Sequence, residues 1–482
     1  MKNLSLFILF LTLSTTFSCE DILEEKIYGQ IANADFWETE QDAEAAIKGA
    51  YAASAWGWRG ISFWPYVIED MGTDISTGGY FATSLYSAYT AWSGTTPDFI
   101  TWGLWPPVWQ SINYANTVLD NVPDMDIDVQ VKNRVIGEAH AIRAMVYFYL
   151  VNWFGGMPEV TTAKEIPKEI PRQSVESNFK LIEDDLKAAM ALLPVKSNLV
   201  SMGEKDYGRV SKHAALSLLA RTYLQQGKWQ ECADATLEVI SSGEYALEPV
   251  YINIFTLENE GFRNREVIWV LPFVAGTSPL VPGCPLQPYI WKASEIQDYS
   301  NYYDWDGDIR VTLSFYNSFE SGDKRREGLF SSTDEIADPI MLIKYPADPA
   351  TDGRYSGTDF PVVRYADILL MRAEALAQLG DLAGAVQEIN KVRARAGLQS
   401  LDPDNYTSAS LLMHILNERR WEFYFEGHAK RDMIRLDYDR MIAYIKSQSD
   451  DWETVTAERY LLLPLPSIAL AANPGLTQNP GF

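Results

Sequence analysis

Seven of the fifteen tryptophans in this 482-residue chain fall between Tyr51 and Gln110: Trp56, Trp58, Trp64, Trp92, Trp102, Trp105 and Trp109. An even spread would put about two there, so the ordinary demand for buried rings is a weak explanation of the excess. Many sit among Gly, Ser and Thr, as in GTDISTGGYFATSLYSAYTAWSGTT, and a loop of that composition does not easily bury every ring. Exposed indole and phenol faces stack on the C–H-rich faces of sugar rings, while neighbouring amides and carboxylates bind the hydroxyls. The candidate glycan contacts here are Asp74, Tyr80, Tyr86 and Trp92, and a second aromatic group holds Tyr289, Trp291, Tyr302, Tyr303 and Trp305. For Tyr80, Tyr86 and Trp92 the residues leave ligand contact and core packing both open. Trp105 and Trp109, in LWPPVWQSINYAN, read as core.

Other chemistry is poorly supported. A glycosidase needs two carboxylates facing a sugar across a cleft. Glu69, Asp70 and Asp74 lie near the aromatic segment, but they serve equally as hydroxyl acceptors. The four histidines, His140, His213, His414 and His428, form no HExxH motif and no evident nucleophile–base pairing, and no Gly-rich phosphate loop occurs. The chain reads as a binding protein and not an enzyme, with no cofactor. In DWDGD (Asp304 to Asp308) the alternating carboxylates suit calcium. The Gly comes too early for an EF-hand loop, however, and no later bidentate Glu is in register, so no metal site is assigned. A formal charge of −25 argues against nucleic acid, whose phosphates demand a basic surface.

The elements that must carry these residues read as mostly α-helical. Two segments look like copies of one unit: His213 to Leu224, a Gly227-Lys228 turn and Trp229 to Ile240, then Tyr365 to Leu379, Gly380-Asp381 and Leu382 to Ala396. Small residues let such antiparallel helices approach, and Gly at the end of each first helix suits a left-handed cap. This is a tetratricopeptide-like layout, without the strict repeat signature. A helix from Gly137 to Trp153 is apolar around most of its second half and so belongs inside. Another starts at Thr39, with Asp42 three residues on in a capping-box-like arrangement. From about Glu248 to Pro361 the chain is loop-rich, with REVIWVLPFV as a strand. Glu418, Arg419, Arg420, Glu422 and Glu426 crowd one helix at ion-pair spacing, on the surface or against a neighbouring helix. The last residues, with their prolines and QNPG turn, read as a tail that wraps back over the helices.

Lys2, an apolar run from Leu4 to Leu13 and then Ser18-Cys19 have the layout of a secretory signal peptide ending at an acylated cysteine. Thr16 stands where Leu is commonest in such a lipobox. An ordinary signal peptide with an incidental Cys19 is the alternative. Only Cys232 and Cys284 remain, which is no disulfide framework.

Several ordered segments together resemble the SusD-like (RagB/SusD) outer-membrane nutrient-binding lipoproteins. They are GEAHAIRAMVYFYLVNWFGGMP, the hairpin within Phe360 to Leu398, ERRWEFYFEG (Glu418 to Gly427) and QNPGF (Gln478 to Phe482). The pattern departs at Ala429, where Arg is usual. The resemblance implies a mostly α, SusD-like fold with tetratricopeptide-like hairpins and a loop-rich inserted subdomain. Its expected parts are a signal peptide (1–18), an N-terminal helical region (19–247), the insertion (248–361) and a C-terminal hairpin and tail (362–482). It also implies lipidation at Cys19, with the acidic Glu20 and Asp21 resembling a surface-export signal. The implied function is capture of an oligosaccharide at the cell surface for a SusC-like TonB-dependent transporter, with the site built from loops of both aromatic regions. Peptide or another nutrient is the alternative cargo.

Overall fold

The structure is a computed structural model, and it describes residues 36–55, 61, 64–76, 103–273, 310–330, 340–342, 344–345, 357–446 and 461–482. Helix α1 (Glu40–Ala55) opens as its sequence predicts: the Thr39 amide donates to Asp42 at 2.8 Å and the Asp42 amide to the Thr39 hydroxyl at 3.3 Å. It packs beside α2 (Trp105–Asn121) and α3 (Val129–Phe154). α3 begins at Val129, eight residues before the predicted Gly137, and is capped by Asp128, whose carboxylate accepts from the amides of Gln130 and Val131. Every residue from Ala141 to Val151 is buried, which an apolar circumference requires. The one cation in that stretch, Arg143, is met by Asp185 on α4 (Val175–Leu192) at 2.6 and 2.8 Å and by Asn116 at 2.7 Å.

Two helical hairpins follow the predicted bounds closely, α5 (Lys212–Gln225) with α6 (Trp229–Ser241), and α7 (Tyr365–Gln378) with α8 (Leu382–Ala396). Gly227 (φ 70°) and Gly380 (φ 88°) take the left-handed conformation that each tight turn demands. α6 lies against α7, so the hairpins stack, and Cys232 is buried in that interface beside the Met371 carbonyl.

Phe360 to Arg364, expected within the helical segment, is instead a strand. β1 (Val267–Leu271) pairs antiparallel with it, Leu271 opposite Phe360 and Val267 opposite Arg364, with irregular register between. β2 (Arg310–Val311), β3 (Leu329–Phe330) and β4 (Ile340–Leu342) form a second small sheet in the order β2-β4-β3, and Phe360–Arg364 is β5. A short apolar run has no period of its own, and here pairing decides its conformation.

The charged segment folds inward. On α9 (Ser408–Phe423), Glu418, Arg419, Arg420 and Glu422 are all buried. Arg364 reaches Glu422 at 3.0 Å and Glu426 at 2.6 Å and also pairs with Glu266. Arg325 binds Asp323 and Glu418, and Arg395 binds Glu422 and Glu266. Lys344 is enclosed by Glu426 and by the rings of Tyr424 and Phe255, 4.3 and 4.5 Å away. Burial alone would push these carboxyls up, but Arg325 with His414 and Arg393 brings Glu418 down to about 2. Glu422 and Asp367 are likewise held well below the usual carboxylate range by their arginines.

The tail closes the end of α3. The Leu463 amide donates to the Trp153 carbonyl at 2.7 Å, and Asn479 donates to the carbonyls of Phe154 and Leu463 at 3.0 and 2.7 Å. The tail thus lies against the C-terminal end of α3. Among the described residues no helix is long and apolar enough to cross a membrane.

Candidate ligand-binding site

The sequence-predicted rings Tyr80, Tyr86, Trp92, Tyr289, Trp291 and Trp305 lie outside the described residues, as do Cys19 and the Asp304–Asp308 run. What the structure describes is the base from which the two aromatic segments depart. Residues 64–71 enter the core through Trp64, Tyr66, Val67 and Ile68. The next two side chains fasten this segment to α10 (Ala429–Leu436). Glu69 accepts from the Trp153 indole at 2.8 Å and from the Arg431 amide at 3.0 Å. Asp70 accepts from the amides of Gly427, His428 and Ala429 at 2.6, 3.3 and 3.1 Å, capping α10 from outside its own chain segment. Burial pushes the Asp70 carboxyl up to about 7 even against the three amides, which favour its charged form. Both carboxylates are buried and committed to these bonds, so they do not form a pair facing a sugar.

At residues 74–76 the first stem meets the second. The Thr312 hydroxyl donates to the Asp74 carbonyl at 2.6 Å, the Thr312 amide donates to the Ile75 carbonyl at 2.9 Å, and Ser76 bridges Val311. The chain that leaves toward Tyr80 and the chain that arrives from Trp305 are thus joined at their roots. The Asp74 side chain, partly exposed, accepts from Arg420 of α9 at 2.6 Å and from Arg440 of α11 (Tyr438–Lys446) at 2.7 Å. Tyr444 on the same helix donates to the Ser76 carbonyl at 3.3 Å. Arg420 also lies 5.6 Å over the ring of Phe315, three residues beyond Thr312. Thr312, Arg440 and Tyr444 were not singled out in the sequence, and nothing local to them signals the role.

A separate groove of about 380 Å³ opens between the start of α2, residues 158–170 and the C-terminal helix α12 (Ser467–Ala472) with its tail. Trp105 and Trp109, read as core, lie along it, with rings 5.7 Å apart. Trp105 is 8% exposed and Trp109 is half-buried, so the core reading holds for the first and partly for the second. The Asn473 side chain pins the groove's two walls, accepting from the Ile170 amide at 3.0 Å and donating to the Ile170 carbonyl at 2.8 Å.

No catalytic constellation emerges among the described residues. His140 pairs with Asp185, His213 with Glu244 and His414 with Glu418, while His428 is held well below its ordinary range by burial. No group of three or more His, Cys, Asp or Glu among the described residues is placed to hold a metal ion.

Two family models match the chain, one described as "SusD family" over residues 331–482 and one as "Starch-binding associating with outer membrane" over residues 65–224. A SusD-like protein of Formosa agariphila is 27% identical over 544 aligned residues, covering 99% of this chain and 98% of its relative. Among solved structures, surface glycan-binding protein A from Bacteroides thetaiotaomicron in complex with laminarihexaose has a TM-score of 0.74 at 20% identity, covering 92% of this chain and 99% of that one. A laminarin-binding SusD-like protein has a TM-score of 0.75 at 25% identity, covering 92% and 100%. These likenesses span nearly the whole chain and agree with the mostly α fold described above.

Proposed function

Because this chain belongs to the SusD-like family, we propose that it captures oligosaccharides at the outer membrane and passes them, chemically unchanged, to a SusC-like TonB-dependent transporter. The observation that carries the reading is the joined base of the two aromatic segments at Asp74–Ser76 and Val311–Thr312. Tyr80 is four residues from Ser76 and Trp305 is five from Arg310. At no more than about 3.6 Å per residue, each backbone position lies within roughly 14–18 Å of its root. Rings from both segments can therefore address one ligand, with Tyr86, Trp92, Tyr289 and Trp291 farther along. Family relatives that bind laminarin or carry laminarihexaose support a glycan as the cargo.

Family membership also carries association with the outer membrane. Attachment by acyl chains on Cys19 and exposure at the cell surface are the finer part of the proposal. A single chain anchors only marginally, and the several acyl groups of a bacterial lipoprotein cysteine would secure a water-soluble body.

Stacking contributes about 1 kcal/mol per ring beyond burial, so two or three rings suit micromolar capture with ready release. The test is isothermal titration of the chain without residues 1–19 against laminarihexaose and a panel of plant, microbial and host glycans, with chromatography of the products. Binding without turnover is expected, weakened about tenfold or more in the Trp92→Ala, Trp291→Ala double variant. Silence across the panel would overturn glycan capture in favour of peptide cargo. Turnover would overturn the binding-only reading.

A further inference from the structure

We infer that the Arg420–Asp74–Arg440 ion triad is a positioning device that sets the spacing of the two aromatic-segment stems, and through it the affinity for ligand. The inference rests on the capture reading above and assigns Asp74 a role through the stems, not against the sugar. Each Asp74 carboxylate oxygen is already engaged, one by Arg420 at 2.6 Å and the other by Arg440 at 2.7 Å. The same residue's carbonyl takes the Thr312 hydroxyl, so one residue links α9, α11 and both stems.

Arg420 is the fixed post. It is buried on α9 between neighbours that are themselves locked, Arg419 by Asp367 and Asp432, Glu418 by Arg325 and Glu422 by Arg364. Its guanidinium touches both stems, Asp74 by an ion pair and Phe315 by its ring face. The adjacent Trp421 adds a bond from its indole to the Ser318 hydroxyl at 3.0 Å. Arg440 is the adjustable arm. It is 39% exposed, sits on the short helix α11, and has its own amide bonded to the Asp437 carboxylate at 3.2 Å. Losing the Arg440 guanidinium leaves Arg420 alone to orient a carboxylate that previously had a partner on each oxygen. The stem would then pivot about Arg420, and the Thr312 bonds would share the displacement. A platform made of rings from two segments loses affinity when their separation drifts, because bound ligand must then supply the ordering that the protein no longer provides.

The experiment compares Asp74→Asn, Arg440→Met, the double variant and Arg440→Lys. It reads laminarihexaose affinity, or that of the tightest glycan in the panel, together with hydrogen exchange at the Thr312 amide. Arg440 is surface-accessible, so its variants retain the fold, and a melting curve verifies this. The expected result is about tenfold weaker binding in each single variant, no further loss in the double variant, partial recovery with Lys and faster Thr312 exchange in proportion. Weak binding in Asp74→Asn with wild-type affinity in Arg440→Met would show direct ligand contact and overturn the inference. Faster exchange with unchanged affinity would overturn it as well. If the wild type binds no glycan, the capture reading falls and exchange alone judges the device: unchanged protection in Arg440→Met overturns it, and faster exchange upholds stem fixing.

Discussion

The helical stretch from Ala141 to Val151 and the segment from Glu418 to Glu426 are both buried, yet they are buried by opposite means. The first surrounds Phe148 and Leu150 with other apolar groups and admits one arginine, Arg143, matched at once by Asp185. The second takes carboxylates and arginines out of water together and satisfies them with partners from four other segments: Arg325, Lys344, Arg364 and Arg395. Apolar packing stabilises roughly in proportion to buried area, and each side chain contributes almost independently. An ionic core is closer to all-or-none, since desolvation is offset only while every partner is present. The apolar region thus tolerates gradual change, whereas the ionic region specifies one arrangement. That rigidity matters because Arg420, which anchors the stems, belongs to the ionic region.

The contrast can be broken most severely at Arg364. Arg364→Met leaves Glu266, Glu422 and Glu426 short of their shared cation and is expected to cost about 3–5 kcal/mol in chemical denaturation. Leu150→Ala, a void in the apolar helix, is expected to cost about 2–5 kcal/mol, with the loss independent of pH. Wild-type stability, by contrast, should fall in acid. Carboxyls of the unfolded chain titrate near about 4, while Glu418 in the fold titrates at about 2 and Asp367 and Glu422 are depressed likewise. The unfolded chain therefore takes up protons first. The contribution of these depressed carboxyls is full above about pH 4 and is lost as the pH falls toward 2. A flat acid limb would mean that the ionic core contributes little. The smallest effect is expected at the rim: Lys187→Ala removes a half-exposed pair with Glu183, which keeps Lys228, and should shift stability by less than about 1 kcal/mol.

Much of this architecture was legible in the sequence, for identifiable reasons. The hairpin turns at Gly227 and Gly380 announce themselves because a left-handed residue after a helix strongly favours Gly. Thr39 and Asp42 mark a helix start through their own chemistry. The start of the long helix was missed because Val129 to Arg134 is mostly polar, although Asp128 was an available cap signal. Burial of the ERRWEFYFEG charges was left open because ion-pair spacing looks alike on a surface and in a core. What separates the two is Glu266, Arg325 and Arg364, each more than fifty residues away in sequence. The joining of the stems was likewise invisible, since Thr312 and Arg440 are ordinary loop and helix residues until the fold sets them beside Asp74. The aromatic candidates stood out by composition alone, and composition does not say which ring faces which.

The wide sequence separation of the ionic core has one more consequence, in time instead of energy. Arg364 meets Glu266, Glu422 and Glu426 across 98, 58 and 62 residues, and Arg325 meets Glu418 across 93. A long loop must close before each of these bonds forms, so the complete network is expected late in folding. Interactions absent from the transition state do little to hasten folding, but they deepen the native state and so slow its unfolding. The charged core thus governs how long the folded molecule persists more than how quickly it is reached.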